Sequence, residues 1–199
     1  MSVATTVSTV FAPELFVLVA TLLLVGYERR TDPALGPLAR RVGVVVGAWV
    51  LAFAVYQGGP GVVGTGVPGG EDFFAALGLI VAFGAIAIAW RRLGWGSLVP
   101  LYAALLVGTS LLHLVVVPLW DASSHVIYAA VPAGALVAAD RRFAPLVAVP
   151  PALVWSRIAT GAHTVGEAAG GLLVAAVVLG AAFALDRLPR SSTAGTDPR

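Results

Sequence analysis

Long apolar runs separated by short polar segments constrain the fold of this chain more than any other feature. Hydrophobic residues make up 59% of the sequence and charged residues only 11%, which is too little charge to cover a soluble domain of this length. A segment buried in lipid must satisfy its own backbone hydrogen bonds, and a helix does so without a partner. We therefore predict an all-α, polytopic transmembrane helical bundle, multi-pass in the cell membrane.

The apolar runs predict about seven membrane spans, at residues 9–27, 42–57, 73–90, 97–119, 123–139, 143–159 and 164–185. The segment from Tyr27 to Arg41 is predicted to be a polar loop, and the Gly/Pro-rich stretch 58–70 is predicted to be a second loop, which Glu71 and Asp72 close at a helix start. Pro150-Pro151 should kink the sixth span. Gly166, Gly170 and Gly171 should permit close helix packing. We divide the chain into an N-terminal part with three spans (1–96), a four-helix core (97–185) and a polar tail (186–199) that we expect to be disordered.

The basic residues orient this bundle. The chain has no cysteine and no lysine, so its twelve basic residues are all arginines, and thiolate metal sites and disulfides are excluded. All except Arg157 follow the first, third, fifth or seventh span, which by the positive-inside rule predicts an external N-terminus and a cytoplasmic C-terminus. Their dispersal in pairs argues against nucleic-acid binding. Arg157 is left at the outer side, where it has no topological role.

Other polar residues are predicted to lie at that same outer level: His113, Ser123, Ser124, His125, His163 and Glu167. Charge beside an apolar segment is costly and usually marks function. His163 and Glu167 are four residues apart and would share a helix face. The carboxylate can then fix the imidazole tautomer and leave the other ring nitrogen as a nucleophile or base.

The remaining groups at this level suit a phosphate. Arg157 offers a planar fork of donors, and Ser123 and Ser124 stand where a helix begins and free backbone N–H groups favour an anion. His125 can protonate a leaving oxygen. This set indicates phosphoryl transfer rather than proteolysis or electron transfer, and we predict no metal and no cofactor.

The spacing Ser156-Arg157-x5-His163-x3-Glu167 resembles the third motif of the type 2 phosphatidic acid phosphatase (PAP2) superfamily, SR-x5-H-x3-D. Ala122-Ser123-Ser124-His125 is similar to its second motif, PSGH. The resemblance covers about residues 97–185 and implies a phosphatase acting on a lipid phosphate or prenyl diphosphate at the outer membrane face. It further implies a phosphohistidine at His163, oriented by Glu167, with His125 as the acid and Arg157 and Ser123 binding phosphate.

The chain departs from the first PAP2 motif, K-x6-RP. Pro118 can stand for the proline, but Val117 and Ser110 then occupy the two cationic positions. His113 lies near the correct level and can replace part of that charge. The alternative function is therefore a catalytically weakened or inactive relative that binds a lipid headgroup or a partner helix.

Two further classes stay open. A rhomboid-like intramembrane protease is a lesser alternative, because the Gly-x-Ser-Gly that it needs is absent around Ser123 and Ser124. A transporter is also possible, although no paired broken-helix repeat is visible. The oligomeric state is not indicated.

Each polar residue also has an ordinary structural interpretation. A histidine near a helix end is often an interfacial or helix–helix hydrogen-bond partner. Ser123-Ser124 is a typical helix N-cap, for which Asp121 competes. Glu14 is expected to pair or snorkel rather than to catalyse.

Overall fold

The computed structural model describes residues 1–32, 36–64, 66–67 and 69–185, and within those ranges it contains helices and no strand. The all-α prediction is confirmed. The helices are α1 (Val3–Val10), α2 (Pro13–Thr31), α3 (Leu38–Val63), α4 (Gly70–Leu93), α5 (Leu98–Val116), α6 (Ser124–Ala139), α7 (Val149–Ala159) and α8 (Val165–Ala184), with a 3-10 helix at Arg141–Ala148 between α6 and α7. The predicted tail (186–199) lies outside the described residues.

Four of these helices, α3, α4, α5 and α8, are long and apolar enough to cross a membrane. Helices α1 and α2 together form a fifth candidate span, bent by 49° between them. These lengths are consistent with a multi-pass membrane protein. The count of seven spans is not supported, because α6 has 16 residues and is about 24 Å long, less than the ~30 Å hydrocarbon core of a bilayer.

The sixth predicted span is interrupted. Residues 143–159 divide between the 3-10 helix and α7, which has only 11 residues. Pro145 lies inside the 3-10 helix, and Pro150 and Pro151 open α7. Proline has no backbone N–H and clashes with the preceding turn, so it is tolerated in the first turn of a helix and kinks or breaks a helix at an interior position. The expected kink is therefore a break between two short helices.

The second predicted span is longer than expected. Helix α3 has 26 residues and continues through Pro60 to Val63, into the stretch predicted as a loop. A backbone among apolar surroundings gains by keeping its hydrogen bonds internal, and a proline in the last turn removes few of them. Gly64, whose φ is +94°, ends the helix.

A buried ion pair holds together the end of the bundle where α2 ends and α5 begins. The Arg41 side chain is wholly buried, and its guanidinium lies 3.3 Å from Glu28 and donates to the Trp95 carbonyl at 2.7 Å. Glu28 also accepts from the Trp90 indole at 2.9 Å and from the Leu98 N–H, at the start of α5, at 2.9 Å. The prediction that Arg41 belongs to a polar loop is wrong: this arginine pairs inside the protein.

Helices α6 and α8 form the contact that positions the candidate site. Glycines at this contact, Gly134 on α6 and Gly170 and Gly171 on α8, leave room for side chains or backbone of the facing segment. Small residues at a helix crossing allow close approach. The close packing predicted for Gly170 and Gly171 is confirmed.

Candidate functional site

The two sequence motifs meet at the end of the bundle where α4, α6 and α8 begin. The backbone N–H of Ser123, just before α6, donates to the backbone carbonyl of Glu167, in the first turn of α8, at 3.1 Å. This bond joins segments more than 40 residues apart in the chain. The expectation that the two motifs form one site is therefore consistent with the fold.

A tight turn between α7 and α8 sets the spacing of Arg157 and His163. Gly161 adopts a left-handed conformation with φ +68°, which a glycine reaches without steric cost. The N–H groups of Ala162 and His163 then both donate to the Arg157 carbonyl, at 3.0 and 3.2 Å. These bonds resemble those that end many helices, and they hold His163 against the end of α7.

Glu167 has two partners, one structural and one in the site. Its carboxylate Oε2 accepts from the Thr164 N–H at 2.8 Å while the Thr164 hydroxyl accepts from the Glu167 N–H at 3.2 Å, a complete capping box. The same Oε2 lies 3.5 Å from His163 Nδ1. Glu167 thus starts α8 and faces the imidazole that the sequence analysis expects it to orient.

Four buried side-chain atoms of the two motifs have no hydrogen-bond partner among the described residues: Ser123 Oγ, His125 Nδ1, Arg157 Nε and His163 Nδ1. The contact of His163 Nδ1 with Glu167, at 3.5 Å, is at the distance limit for a hydrogen bond. Buried polar atoms are normally paired, and leaving one unpaired is costly. Their concentration on the two motifs indicates a place prepared for a polar ligand.

Ser123 illustrates this point. It occupies the N-cap position of α6, but its hydroxyl makes no capping bond, although the side chain is wholly buried. Ser123 is therefore the N-cap residue, as its ordinary interpretation expects, but its side chain does not cap the helix. Its hydroxyl is free to contact a ligand.

The charges at the site are few. His125, in the first turn of α6 and outside the candidate spans, lies within electrostatic reach of Arg157 and His163. Burial, followed by those two neighbours, lowers the pKa of His125 to about 4, so this imidazole is neutral at pH 7. Burial also lowers the pKa of Arg157, against the opposing effect of Asp72 and Asp121, but a guanidinium stays protonated in proteins.

Asp72 is a site residue that the sequence analysis missed. It was interpreted only as a helix-start signal, and it does lie in the first turn of α4. The structure brings this half-buried carboxylate towards Ser124 and His113, within electrostatic reach of His163. The one available signal was that the start of the third predicted span shares the outer level with the histidines.

We call Ser123, His125, Arg157, His163 and Glu167 the motif cluster. A cavity of about 350 Å³ adjoins it. Its wall includes His113, Ser124 and His125, but Ser123, Arg157, His163 and Glu167 are not part of it. The candidate residues therefore fall into two groups, a motif cluster and a cavity wall. His125 belongs to both.

His113 is part of the wall and not of the motif cluster. It is only 1% exposed, and its Nδ1 lies 3.4 Å from the Tyr128 hydroxyl, which in turn donates to Ser110 at 3.0 Å. The two residues expected at or near the first-motif cations, Ser110 and His113, thus share one buried hydrogen-bond chain.

Ser156 has a structural partner. Its buried hydroxyl donates to the Ala4 carbonyl at 2.6 Å and lies 2.6 Å from the Ser8 hydroxyl. It fastens α1 to α7 and so supports the helix that ends at Arg157.

One group of side chains has the composition of a metal site. Ligand atoms of Asp121, His163 and Glu167 lie within 4.8 Å of one another. One imidazole and two carboxylates are a donor set that divalent transition metals accept. A metal bound there would occupy His163, the predicted nucleophile.

Comparison of the chain with protein-family models, with curated proteins and with solved structures gives no match.

Proposed function

We propose that this protein is a membrane phosphatase of the PAP2 type, which hydrolyses a lipid phosphate or prenyl diphosphate through a phosphohistidine. The observation that carries the proposal is the set of three unpartnered buried atoms beside His163, which are Ser123 Oγ, His125 Nδ1 and Arg157 Nε. They belong to the residues that the PAP2 motifs assign to phosphate binding and transfer. A phosphoryl group supplies oxygens that the serine and the arginine can bind.

In the first step, His163 Nε2 attacks phosphorus while Glu167 accepts the Nδ1 proton in a hydrogen bond. A P–N bond forms and the P–O bond to the leaving alcohol or phosphate breaks. His125, protonated once the anion is bound, gives its proton to the leaving oxygen. Arg157 and Ser123 contact the remaining phosphoryl oxygens and balance the charge that develops there.

In the second step, water attacks phosphorus and the P–N bond breaks, which restores the His163 imidazole. His125, now neutral, takes the proton of the attacking water. Phosphate leaves, and the P–N bond made in the first step has been broken.

The protonation of His125 depends on the substrate. In the free protein its pKa of about 4 leaves it neutral at pH 7. A bound phosphate dianion favours the imidazolium and raises that pKa. The acid is therefore formed by substrate binding, and the neutral free state suits its role as base in the second step.

We propose that the site end faces outward, with the N-terminus outside and the C-terminus in the cytoplasm of a cell-membrane protein. Arginine pairs end α2 and α4, at Arg29-Arg30 and Arg91-Arg92, on the side away from the motif cluster. Such pairs favour the cytoplasmic side.

The test is phosphate release by the purified protein in nanodiscs from alkyl phosphates and prenyl diphosphates. We expect His163→Ala to remove release, and Arg157→Ala to reduce it by at least about 100-fold, as loss of a group that stabilises the transition-state charge does. Arg142→Ala is the matched control, because that arginine is 91% exposed and lies outside the site. Equal release by the wild type and His163→Ala would contradict the proposal.

A second candidate, lipid binding without turnover, is favoured by the charge balance. Ser110 and Val117 stand where PAP2 enzymes carry cations, and Asp72 adds a negative charge beside the site. This function predicts saturable binding of a lipid phosphate that Arg157→Ala removes, with no phosphate released.

A further inference from the structure

We infer that the cavity beside the motif cluster binds a protonated amine, so that the preferred substrate is a phosphate ester whose alcohol carries an ammonium group. The phosphate half of this inference rests on the proposed function. The amine half rests on the cavity alone.

The cavity is acidic. Glu14, Glu71 and Asp72 line it, and no lysine or arginine does among the described residues. All three carboxylates lie in first helical turns, where an acid is ordinarily explained by the helix dipole. Among the described residues, however, none of them makes a hydrogen bond to a first-turn amide. Glu71 lies 3.4 Å from the Tyr56 hydroxyl, and Asp72 accepts from the Ser124 hydroxyl. Their charge remains available to a cation.

Aromatic rings on α3 complete the acidic wall. Trp49, Phe53 and Tyr56 all line the cavity, at the three- and four-residue spacing that places side chains on one helix face. A cation over an aromatic face is stabilised by the ring quadrupole, most strongly by tryptophan. Carboxylates together with such rings favour an organic cation over a hydrated metal ion.

His113 is the buried polar group of this wall. Its ring is only 1% exposed, and its Nδ1 lies 3.4 Å from the Tyr128 hydroxyl, which donates to Ser110 at 3.0 Å. Its Nε2 has no hydrogen-bond partner among the described residues. Because buried polar atoms are normally paired, this end of the ring is available to a polar ligand in the cavity.

His125 connects the amine site to the chemistry. It lines the cavity and also lies within electrostatic reach of Arg157 and His163. As the proton donor to the leaving oxygen, it marks the side of phosphorus from which the alcohol departs. The cavity is therefore the leaving-group pocket, and about 350 Å³ is within the usual range for a small-ligand site.

The test compares two lipids that differ only in an amine, dodecyl phosphate and 2-aminododecyl phosphate. Binding to the His163→Ala protein in nanodiscs avoids turnover. We expect the amine-bearing lipid to bind at least about tenfold more tightly, a difference of about 1.4 kcal/mol.

The variants identify the site. Asp72→Asn and Glu71→Gln are each introduced into the His163→Ala protein, and each removes one charge with little change of shape. Either variant should reduce the preference for the amine-bearing lipid to less than about threefold. Asp140→Asn is the matched control, since Asp140 caps the 3-10 helix at the other end of the bundle. Equal affinities for the two lipids, or a preference that persists in both cavity variants at unchanged melting temperature, would overturn the inference.

Turnover separates this inference from the proposed function. If the wild type binds the amine-bearing lipid more tightly but releases no phosphate, the assignment of the cavity is supported and the proposed phosphatase activity is contradicted. If it binds both lipids with equal affinity and hydrolyses them at equal rates, the proposed phosphatase activity is supported and the assignment of the cavity is contradicted. Competition with soluble O-phosphoethanolamine shows whether the natural ligand is a free amino-alcohol phosphate or a membrane lipid. If the soluble compound competes at a concentration similar to that of the amine-bearing lipid, the ligand is a free amino-alcohol phosphate. If only the lipid competes, the ligand is a membrane lipid.

Discussion

A Cβ atom on Gly171 would lie 2.9 Å from the backbone carbonyl oxygen of Ser123. Helix α8 therefore passes against the very segment that carries the second motif, and the Ser123–Glu167 backbone bond lies one turn away. Backbone cannot move aside as a flexible side chain can. This contact and the backbone bond together hold the second motif against the start of α8.

Gly171→Ala should disrupt the site. The added methyl group forces α6 and α8 apart, which should lower the free energy of unfolding by about 1–3 kcal/mol, as in other overpacked interiors. The rate of phosphate release should fall even at temperatures where the protein stays folded. Gly180→Ala is the matched control, because this exposed glycine of the same helix has nothing within 4 Å of a Cβ. Thermal unfolding and phosphate release are measured on both variants. Equal melting temperatures and equal release rates for the two variants would contradict the prediction.

The Glu28–Arg41 pair should matter for stability and not for chemistry. Glu28→Ala leaves a buried guanidinium without its carboxylate, which typically costs about 3–5 kcal/mol. Unfolding in denaturing detergent checks this, with the exposed Arg142→Ala as reference. The double change Glu28→Gln, Arg41→Met should be less destabilised than Glu28→Ala, and the folded fraction of each should bind lipid phosphate as the wild type does.

Glu167 and Thr164 can be separated by substitution. Gln is accepted at this position of a capping box, so Glu167→Gln keeps the start of α8 and removes the charge facing His163. It should lower phosphate release by at least about tenfold, because the imidazole loses its orienting base, with melting unchanged. Thr164→Ala removes the cap and should cost about 1 kcal/mol. A Glu167→Gln protein with full activity would restrict this residue to helix capping.

The depressed pKa of His125 predicts how stability depends on pH. Its folded-state pKa of about 4 lies below the ordinary 6.5, so between these values the unfolded chain binds the proton more readily. Stability from this group is therefore present above about pH 6.5 and is lost as the pH falls towards 4. Melting temperatures across that range should fall more steeply for the wild type than for His125→Gln. Parallel curves would show that His125 is not buried as described.

The sequence predicted well what depends on local pattern. Helix class, the start of α4 at the acidic pair and the breaking effect of Pro150 and Pro151 all follow from short-range chemistry. The convergence of the two motifs was expected from topology, and the Ser123–Glu167 bond agrees with it.

What depends on distant partners was missed. Arg41 was assigned to a loop because a single sequence does not show that Glu28, Trp90 and Trp95 surround it. Helix α3 runs past the glycine and proline signals at residues 58–63, because apolar surroundings favour internal hydrogen bonds over turns. Asp72 was unrecognised for the same reason: its role depends on α5 and α6, to which it is unrelated in sequence.

The most direct test of the phosphatase is the covalent intermediate itself. The wild type is mixed briefly with a radiolabelled alkyl phosphate, quenched in alkali and mapped by peptide mass spectrometry. We predict label on His163, stable in alkali and lost in acid, and none in His163→Ala. Phosphate release without label on His163, or equal labelling of the His163→Ala protein, would contradict the mechanism.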